Sequence, residues 1–213
     1  IGRIVGRVAF PVFAEIQDDT ARLRNGFRRA LETTGLVSFP LMIGLSATAQ
    51  PLVLTLFSDK WSPVVPYVQL LSMVGLFYPL TMINQDMILA VGHSDLYFRL
   101  EVVKKALTVI AIAITWRWSI GALIWGQIAV AMAVYCLNSR YGGTIIGYGI
   151  GAQSRDLLPY LGAACVMGAA VFMLNRLPFT HPAVLLAAQV ILGVLVYGLL
   201  CRRFRLPVFM DAW

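Results

Sequence analysis

The stretch EVVKKALTVIAIAITWRWSIGALIWGQIAVAMAVYCLNSR, at residues 101–140, indicates the fold of this chain. It begins with a charged turn, continues as an apolar run, and returns through the short link at 116–119 into a second apolar run. Each run approaches the roughly 20 residues that a helix, rising about 1.5 Å per residue, needs to cross about 30 Å of hydrocarbon. Because the link is so short, we expect the two runs to form an antiparallel helical hairpin.

Similar apolar stretches recur along the whole chain, with short polar breaks between them. The chain is 59% hydrophobic and 13% charged, with a mean hydropathy of +0.78, whereas soluble domains carry about 25% charged residues. Helices satisfy their backbone groups within each segment, which suits a bilayer. We therefore predict an all-α, polytopic membrane helical bundle of about six transmembrane helices, preceded by the end of another helix. The predicted spans are 31–57, 64–91, 96–116, 119–138, 157–174 and 182–201.

The basic residues lie mainly in alternate breaks between these spans. Of the 17 lysines and arginines, twelve belong to one set of breaks, three to the opposite set, and two to the N-terminal segment. The positive-inside rule places the rich side in the cytoplasm, so we predict a multi-pass protein of a bacterial inner membrane with a cytoplasmic C-terminus. The rich set comprises Arg22, Arg24, Arg28, Arg29, Arg99, Lys104, Lys105, Arg140, Arg155, Arg202, Arg203 and Arg205, and the poor set comprises Lys60, Arg117 and Arg176.

The net charge of +7 does not indicate a nucleic-acid-binding protein, because the charges lie at the ends of predicted helices rather than on one face. We expect them to contact membrane lipids. The cysteines Cys136, Cys165 and Cys201 show no CxxC or Cys/His spacing, so no metal site is predicted. No motif of a soluble enzyme is present. We expect a protein that is not an enzyme and has no cofactor.

The polar breaks predict four regions. Residues 1–30 contain the end of a preceding helix and a charged amphipathic link, in which Asp18 or Asp19 is a plausible N-cap. Four spans occupy 31–138, a glycine-rich cytoplasmic connection occupies 139–156, and two further spans with a basic tail occupy 157–213. The first residues resemble a helix already under way, so we interpret the chain as a fragment of a longer protein.

The polar run Asn84-Gln85-Asp86, near the end of the second span, is the main candidate site for substrate or a coupling ion. Acidic residues within spans usually face a bundle interior or a cavity. The alternative is that Asp86 is hydrated near the boundary or paired with Lys104 or Lys105.

Arg3 and Arg7, four residues apart on one helical face, are candidate phosphate ligands, with lipid-headgroup contact as the alternative. No metal-binding residue is proposed.

Other intramembrane features suggest packing. We expect Gln50, Gln69 and Gln127 to form interhelical hydrogen bonds, with substrate contact as the alternative. Close helix packing is expected along one series of the fifth span. That series is Gly162, Val166, Ala169 and Ala170.

The run GRVAFPVFAEIQDD at 6–19 resembles the cytoplasmic signature of the polysaccharide transporter family, the lipid-linked oligosaccharide flippases of the multidrug/oligosaccharidyl-lipid/polysaccharide superfamily. Further runs resemble that family in order and spacing, among them FPLMIGLSATAQPLVLTLFSDKW at 39–61 and LAVGHSDLYFRLEVVKK at 89–105. The resemblance extends over about residues 1–160.

The resemblance implies that this chain is the C-terminal lobe of a two-lobe transporter with two additional C-terminal helices. Such a protein moves undecaprenyl-pyrophosphate-linked oligosaccharide between membrane leaflets by alternating access, for exopolysaccharide or lipopolysaccharide synthesis. Its implied partners are the lipid-linked substrate, membrane lipids and other polysaccharide assembly proteins. The alternatives are a cation-coupled multidrug exporter of the same superfamily, a membrane polysaccharide polymerase or ligase, and a scaffold of the assembly machinery.

Overall fold

A computed structural model describes residues 10–176, 181–204 and 206–211, and this part of the chain is helical with no strand. A helical turn at 10–15 precedes the first long helix. The α-helices are α1 (Thr20–Ala47), α2 (Ala49–Leu56), α3 (Val65–Ala90), α4 (Ser94–Thr115), α5 (Ile120–Ile146), α6 (Ile150–Met173), α7 (Pro182–Arg203) and α8 (Pro207–Asp211). Short 3₁₀ helices occupy Asp59–Val64 and Leu174–Arg176. The predicted all-α polytopic bundle is confirmed.

Among the described residues, five helical segments are long and apolar enough to cross a membrane, and each overlaps a predicted span. The segment predicted at 96–116 does form a helix, α4. Its first half carries Arg99, Glu101, Lys104 and Lys105, which makes it less apolar than the other five. The crossing of α4 therefore remains a prediction, whereas a multi-pass membrane protein is supported by the five apolar helices.

The first span differs from its predicted bounds at both ends. Helix α1 begins at Thr20, where Oδ1 of Asp19 accepts hydrogen bonds from the backbone N–H groups of Ala21 and Arg22, at 3.0 Å each. Of the two candidate N-caps, Asp19 therefore fills this role. The helix stops at Ala47, and α2 resumes at Ala49, so the predicted stretch 31–57 is two helices.

The predicted hairpin is confirmed, because α4 and α5 pack against each other across the link at 116–119. The hydroxyl oxygen of Ser119 caps α5 by accepting from the backbone N–H of Ala122 at 3.1 Å. A Cβ at Gly126 would lie 3.4 Å from Cγ2 of Thr115 and 3.6 Å from Cβ of Ala111. The glycine thus permits the close approach of the two helices.

The predicted connection at 139–156 is much shorter in the structure. Helix α5 continues to Ile146 and α6 begins at Ile150. Gly147 ends α5 with a φ of 65°, a left-handed conformation that favours glycine. A Cβ on Gly143 would lie 2.6 Å from Cα of Gly149. The glycines of this region therefore form a tight turn between two helices rather than a long loop.

The helices contribute to two compact units. The first unit comprises residues 1–35 and 74–157, and the second comprises 36–73 and 158–213. The part of the chain predicted as an additional C-terminal pair thus packs in one unit with residues of the first two spans. Each unit is described separately below.

In the second unit, two prolines each leave one backbone carbonyl without a donor from its own helix. Side chains donate to these two carbonyls instead. Proline has no N–H to donate to the carbonyl four residues earlier. Pro40 thus frees the carbonyl of Leu36, which accepts from the Tyr197 hydroxyl at 3.0 Å. The carbonyl of Ala47, four residues before Pro51, accepts from Nδ2 of Asn175 at 3.4 Å. Neighbouring helices commonly satisfy such groups inside membranes.

The small residues that permit close packing in the second unit differ from the predicted series. Gly162, Val166 and Ala169 are exposed, and Gly162 has no neighbour within 4 Å of an added Cβ. The packed face carries Ala163, Ala164 and Gly168 instead. A Cβ on Gly168 would clash with Ile43 of α1.

Candidate binding cavity

The three consecutive residues predicted as one site point in different directions. Successive side chains of an α-helix lie about 100° apart, because a turn takes 3.6 residues. Gln85 faces a cavity in the first unit, Asn84 joins a buried network, and Asp86 lines neither. The structure thus separates a cavity residue from a packing residue and an unpaired acid.

The cavity lies between α3, α4 and α5 and has a volume of about 370 Å³. This falls within the range of about 300–1,000 Å³ that is usual for small-molecule sites. Apolar residues form part of the wall, among them Val74, Met82, Val130, Ala131 and Val134. The polar members are Tyr78, Thr81, Gln85, Tyr97, Glu101, Lys104, Thr108 and Gln127.

A hydrogen-bonded cluster of Gln85, Glu101 and Lys104 forms the charged side of this cavity. Oε1 of Glu101 accepts from Nε2 of Gln85 at 2.8 Å and from Nζ of Lys104 at 2.9 Å. The side chains of Lys104 and Glu101 are 30% and 23% exposed. The pair is therefore partly desolvated, so removing one partner should cost more stability than breaking an ion pair at an exposed surface.

Tyr78, Tyr97 and Gln127 complete the polar lining. In the described part of the chain, none of their side-chain polar groups has a hydrogen-bond partner, whereas the hydroxyls of Thr81 and Thr108 donate to backbone carbonyls of their own helices. The two tyrosines, Gln127 and the cluster therefore present free donors and acceptors to the cavity.

Asn84 belongs to a fully buried network centred on Gln153 of α6. Nε2 of Gln153 donates to Oδ1 of Asn84 at 3.3 Å and to the carbonyl of Tyr148 at 3.2 Å. Oε1 of Gln153 accepts from the Tyr135 hydroxyl at 3.4 Å. Asn84 and Gln153 have no exposed surface, so this network links three helices and is closed to a ligand.

Asp86 is half-buried, and its Oδ2 atom is buried without a hydrogen-bond partner among the described residues. The sequence left open a pair with Lys104, but Lys104 forms its ion pair with Glu101. Lys105 is exposed. Arg3 and Arg7 lie outside the described residues.

A second ionic cluster joins α1, α6 and the turn between α5 and α6. Nε of Arg28 lies 2.8 Å from Oε1 of Glu32 and 2.9 Å from Oδ2 of Asp156. The hydroxyl of Tyr148 donates to Oδ2 of Asp156 at 2.5 Å. Burial, and then the hydrogen bond to Asp156, raise the pKa of Tyr148 above its usual value, so this hydroxyl remains a donor at physiological pH. The cluster holds the turn against the first half of α1.

The sequence indicated some cavity residues and missed others. Gln85 was part of the predicted site. Gln127 was expected to form an interhelical hydrogen bond, but among the described residues it has no hydrogen-bond partner and lines the cavity instead. Glu101 precedes Lys105 by four residues, a spacing that favours an ion pair along a helix, but its hydrogen-bonded partner is Lys104. No sequence signal marks Glu101 as a partner of Gln85, since they lie on different helices.

Residues 1–66 match a family model described as a polysaccharide biosynthesis protein. The chain is also similar to the lipopolysaccharide biosynthesis protein WzxC of Escherichia coli (strain K12), with 37% identity over 111 residues, covering 52% of this chain and 23% of that protein. The teichuronic acid biosynthesis protein TuaB of Bacillus subtilis (strain 168) is 39% identical over 98 residues, covering 46% and 20%.

The succinoglycan biosynthesis transport protein ExoT of Rhizobium meliloti (strain 1021) is 28% identical over 155 residues, covering 72% of this chain and 29% of that protein. No solved structure matches. These similarities confirm the predicted relationship to the polysaccharide transporter family. The chain spans less than a third of the length of each of these three relatives.

Proposed function

We propose that this chain is part of a transporter that moves lipid-linked oligosaccharide across the bacterial inner membrane, for exopolysaccharide or lipopolysaccharide synthesis. The observation that carries this proposal is a polar cavity with an ion pair among membrane helices, in a chain similar to proteins named for polysaccharide biosynthesis and transport. Alternating access would carry a polar headgroup across without contact with hydrocarbon.

In this proposal Gln85 faces the substrate directly, and Arg3 and Arg7 are candidate contacts for its phosphates. Asn84 supports the helix packing behind the cavity. Residues 31–138 would form the lobe, with 1–30 as the cytoplasmic link that leads into it. Residues 157–213 would be the additional C-terminal part. The C-terminus would be cytoplasmic, and other polysaccharide assembly proteins would be partners.

Complementation tests this proposal. The full-length protein is expressed in a bacterium that lacks its own oligosaccharide flippase, and surface polysaccharide is measured. We expect restoration by the parent and reduced polysaccharide with Gln85→Leu at equal membrane abundance. Gln50→Leu is the matched control, because Gln50 is exposed and lies outside the cavity. Failure of the parent to restore polysaccharide in strains of several sugar repeats would contradict the proposal.

One observation favours a second candidate function, a cation-coupled exporter of the same superfamily. The buried Oδ2 of Asp86 has no partner in the described residues, and intramembrane acids of this kind often serve ion pathways. Export of a cationic dye from cells that express the full-length protein, lost in Asp86→Asn, would support this candidate. Dye retention equal to that of empty cells would exclude it.

A further inference from the structure

We infer that the cavity of Gln85, Glu101 and Lys104 binds an uncharged, hydroxyl-bearing sugar unit rather than the pyrophosphate of the substrate. The inference rests on the proposed function and specifies which part of a lipid-linked oligosaccharide this cavity would contact. It follows from the charge balance of the cavity, from its free hydrogen-bonding groups and from its aromatic walls.

The charges of the cavity neutralise each other. Of the described residues that line it, Lys104 contributes a positive charge and Glu101 a negative one, and the two are paired at 2.9 Å. Pyrophosphate sites favour several cations and above all arginine, which binds phosphate oxygens in pairs. To serve such an anion, Lys104 would have to leave a partly buried carboxylate, and that carboxylate would repel the ligand. The cavity is therefore poorly suited to pyrophosphate.

The same residues suit hydroxyl groups, which donate and accept hydrogen bonds. The amide of Gln127 can do both and has no partner in the described chain. Nζ of Lys104 has three N–H groups, of which one is directed to Glu101, and Oε2 of Glu101 has no hydrogen-bond partner given by the structure. A ligand with several hydroxyls could bind all of these groups without disrupting the ion pair.

Tyr78 and Tyr97 add aromatic surface to this polar lining. A tyrosine combines an apolar ring with a polar hydroxyl, which matches a sugar ring with its C–H faces and hydroxyl edge. The volume of about 370 Å³ can hold a small sugar unit. Because sites with hydrogen-bonding groups discriminate strongly against ligands that lack the matching hydroxyl, we expect Gln127 to contribute to the choice of sugar.

Cysteine protection tests the inference on the full-length protein in membrane vesicles. The native cysteines are replaced by alanine, and Thr108→Cys introduces one thiol into the cavity wall. The rate of labelling by N-ethylmaleimide is measured with glucose, galactose or mannose, and with inorganic pyrophosphate. An occupied site slows labelling by the factor 1 + [L]/Kd, about tenfold at ten times Kd. The control is Asp18→Cys on the exposed link, which reports general effects of the additives.

We expect at least one neutral hexose to protect the thiol at position 108 but not the thiol at position 18, with no protection by pyrophosphate. Gln127→Leu should weaken the protection, and Gln50→Leu should leave it unchanged. Protection by pyrophosphate alone, or by no compound, overturns the inference. Complementation with the same cysteine variant separates the two proposals, because restored polysaccharide without hexose protection rejects only the sugar site. Hexose protection without restored polysaccharide rejects only the transport function.

Discussion

At the scale of single residues, the ion pair of Glu101 and Lys104 makes a prediction about stability. Lys104→Met leaves the carboxylate of Glu101 with Gln85 as its donor but without its paired cation. Loss of a partner at a partly buried charge costs about 1–3 kcal/mol, so we expect a lower free energy of unfolding. Lys105→Met, at the exposed neighbouring position, should change it by less than about 0.5 kcal/mol.

Thermal unfolding of the purified full-length variants measures this difference. The double variant Glu101→Gln/Lys104→Met should be more stable than Lys104→Met alone, because it contains no unpaired charge. Equal losses for the two lysine variants would show that the pair contributes no more than an exposed charge.

For Asp86 we expect that removing the charge does not lower stability. Its Oδ2 atom is buried without a partner in the described residues, so Asp86→Asn removes a charge that forms no ion pair there. We expect the unfolding temperature to stay equal or rise. Asn84→Leu should lower stability by about 1–3 kcal/mol, because one N–H of the buried Gln153 amide loses its acceptor. Asp18→Asn on the exposed link is the control. A destabilised Asp86→Asn protein would indicate a structural role for the carboxylate.

Some residues of the cavity and of the buried network could be recognised from the sequence, and others could not. The run at 84–86 was recognisable because polar side chains are rare within an apolar span, and Gln85 does line the cavity. The separate orientation of Asn84 follows from helix geometry, but its partner Gln153 does not, since it lies 69 positions away. Nothing in the sequence distinguishes Glu101 and Lys104 from other charged residues near the start of a helix. Only the packing of α3 against α4 makes them part of a cavity.

At the scale of helices, the prolines of α1 and α2 yield a double-mutant prediction. The Tyr197 hydroxyl donates to the Leu36 carbonyl that Pro40 leaves free. Tyr197→Phe should therefore cost about 1–3 kcal/mol, because a partly buried carbonyl loses its donor. In a Pro40→Ala background residue 40 can donate an N–H to the same carbonyl, so the cost of Tyr197→Phe should shrink. The measurement is the coupling free energy of the cycle, expected at about 0.5–3 kcal/mol.

Tyr67→Phe is a suitable control for this cycle, since the side chain of Tyr67 has no hydrogen-bond partner among the described residues. Additive losses for Tyr197→Phe and Pro40→Ala would contradict the assigned role of the hydroxyl. The freed carbonyls can be located from the sequence, because the missing N–H of proline is a local property. The sequence did not predict the donors, since Tyr197 lies 161 positions from Leu36.

The ionic cluster of Arg28, Glu32 and Asp156 leads us to expect that replacing an aspartate by asparagine affects stability differently at two positions. Asp156 accepts from Arg28 and Tyr148, and its side chain is 17% exposed. Asp156→Asn should cost about 2 kcal/mol, the range of hydrogen bonds to charged groups. Asp19→Asn should cost much less, because asparagine also caps helices and the pair with Arg22 is exposed. Urea unfolding of both variants compares them, and equal midpoints would contradict the prediction.

At the scale of the whole molecule, hydropathy predicted the helices better than it predicted their grouping. The five apolar segments coincide with predicted spans, since burial in lipid requires a continuous apolar run. The two compact units were not predicted, because each joins segments that are distant in the sequence, as the second unit joins residues 36–73 to 158–213. Such long-range association depends on side-chain fit, as for Gly168 against Ile43, and not on local composition.

The orientation of α4 decides the membrane topology, and it can be tested directly. If α4 crosses the membrane, its two ends lie on opposite sides, with the basic end in the cytoplasm. Its other end bears Trp116 and Trp118, which are 65% and 74% exposed and suit a membrane interface. In the predicted topology, Arg117→Cys should react with an impermeant maleimide added to intact spheroplasts. Asp95→Cys should react only after permeabilisation.

The charged residues in the first half of α4 would make a membrane crossing costly if they faced lipid. The structure shows that two of them do have polar partners. Glu101 and Lys104 pair with each other and with Gln85, so these two charges face a partner rather than lipid. Arg99 and Lys105 are exposed, and long basic side chains near a helix end can extend to the interface. Labelling of both introduced cysteines from the same side would show that α4 does not cross. One of the two chain segments that flank α4 would then have the opposite orientation from that predicted. If both cysteines reacted only after permeabilisation, the segment after α4 would be the reversed one, and the C-terminus would lie outside the cytoplasm.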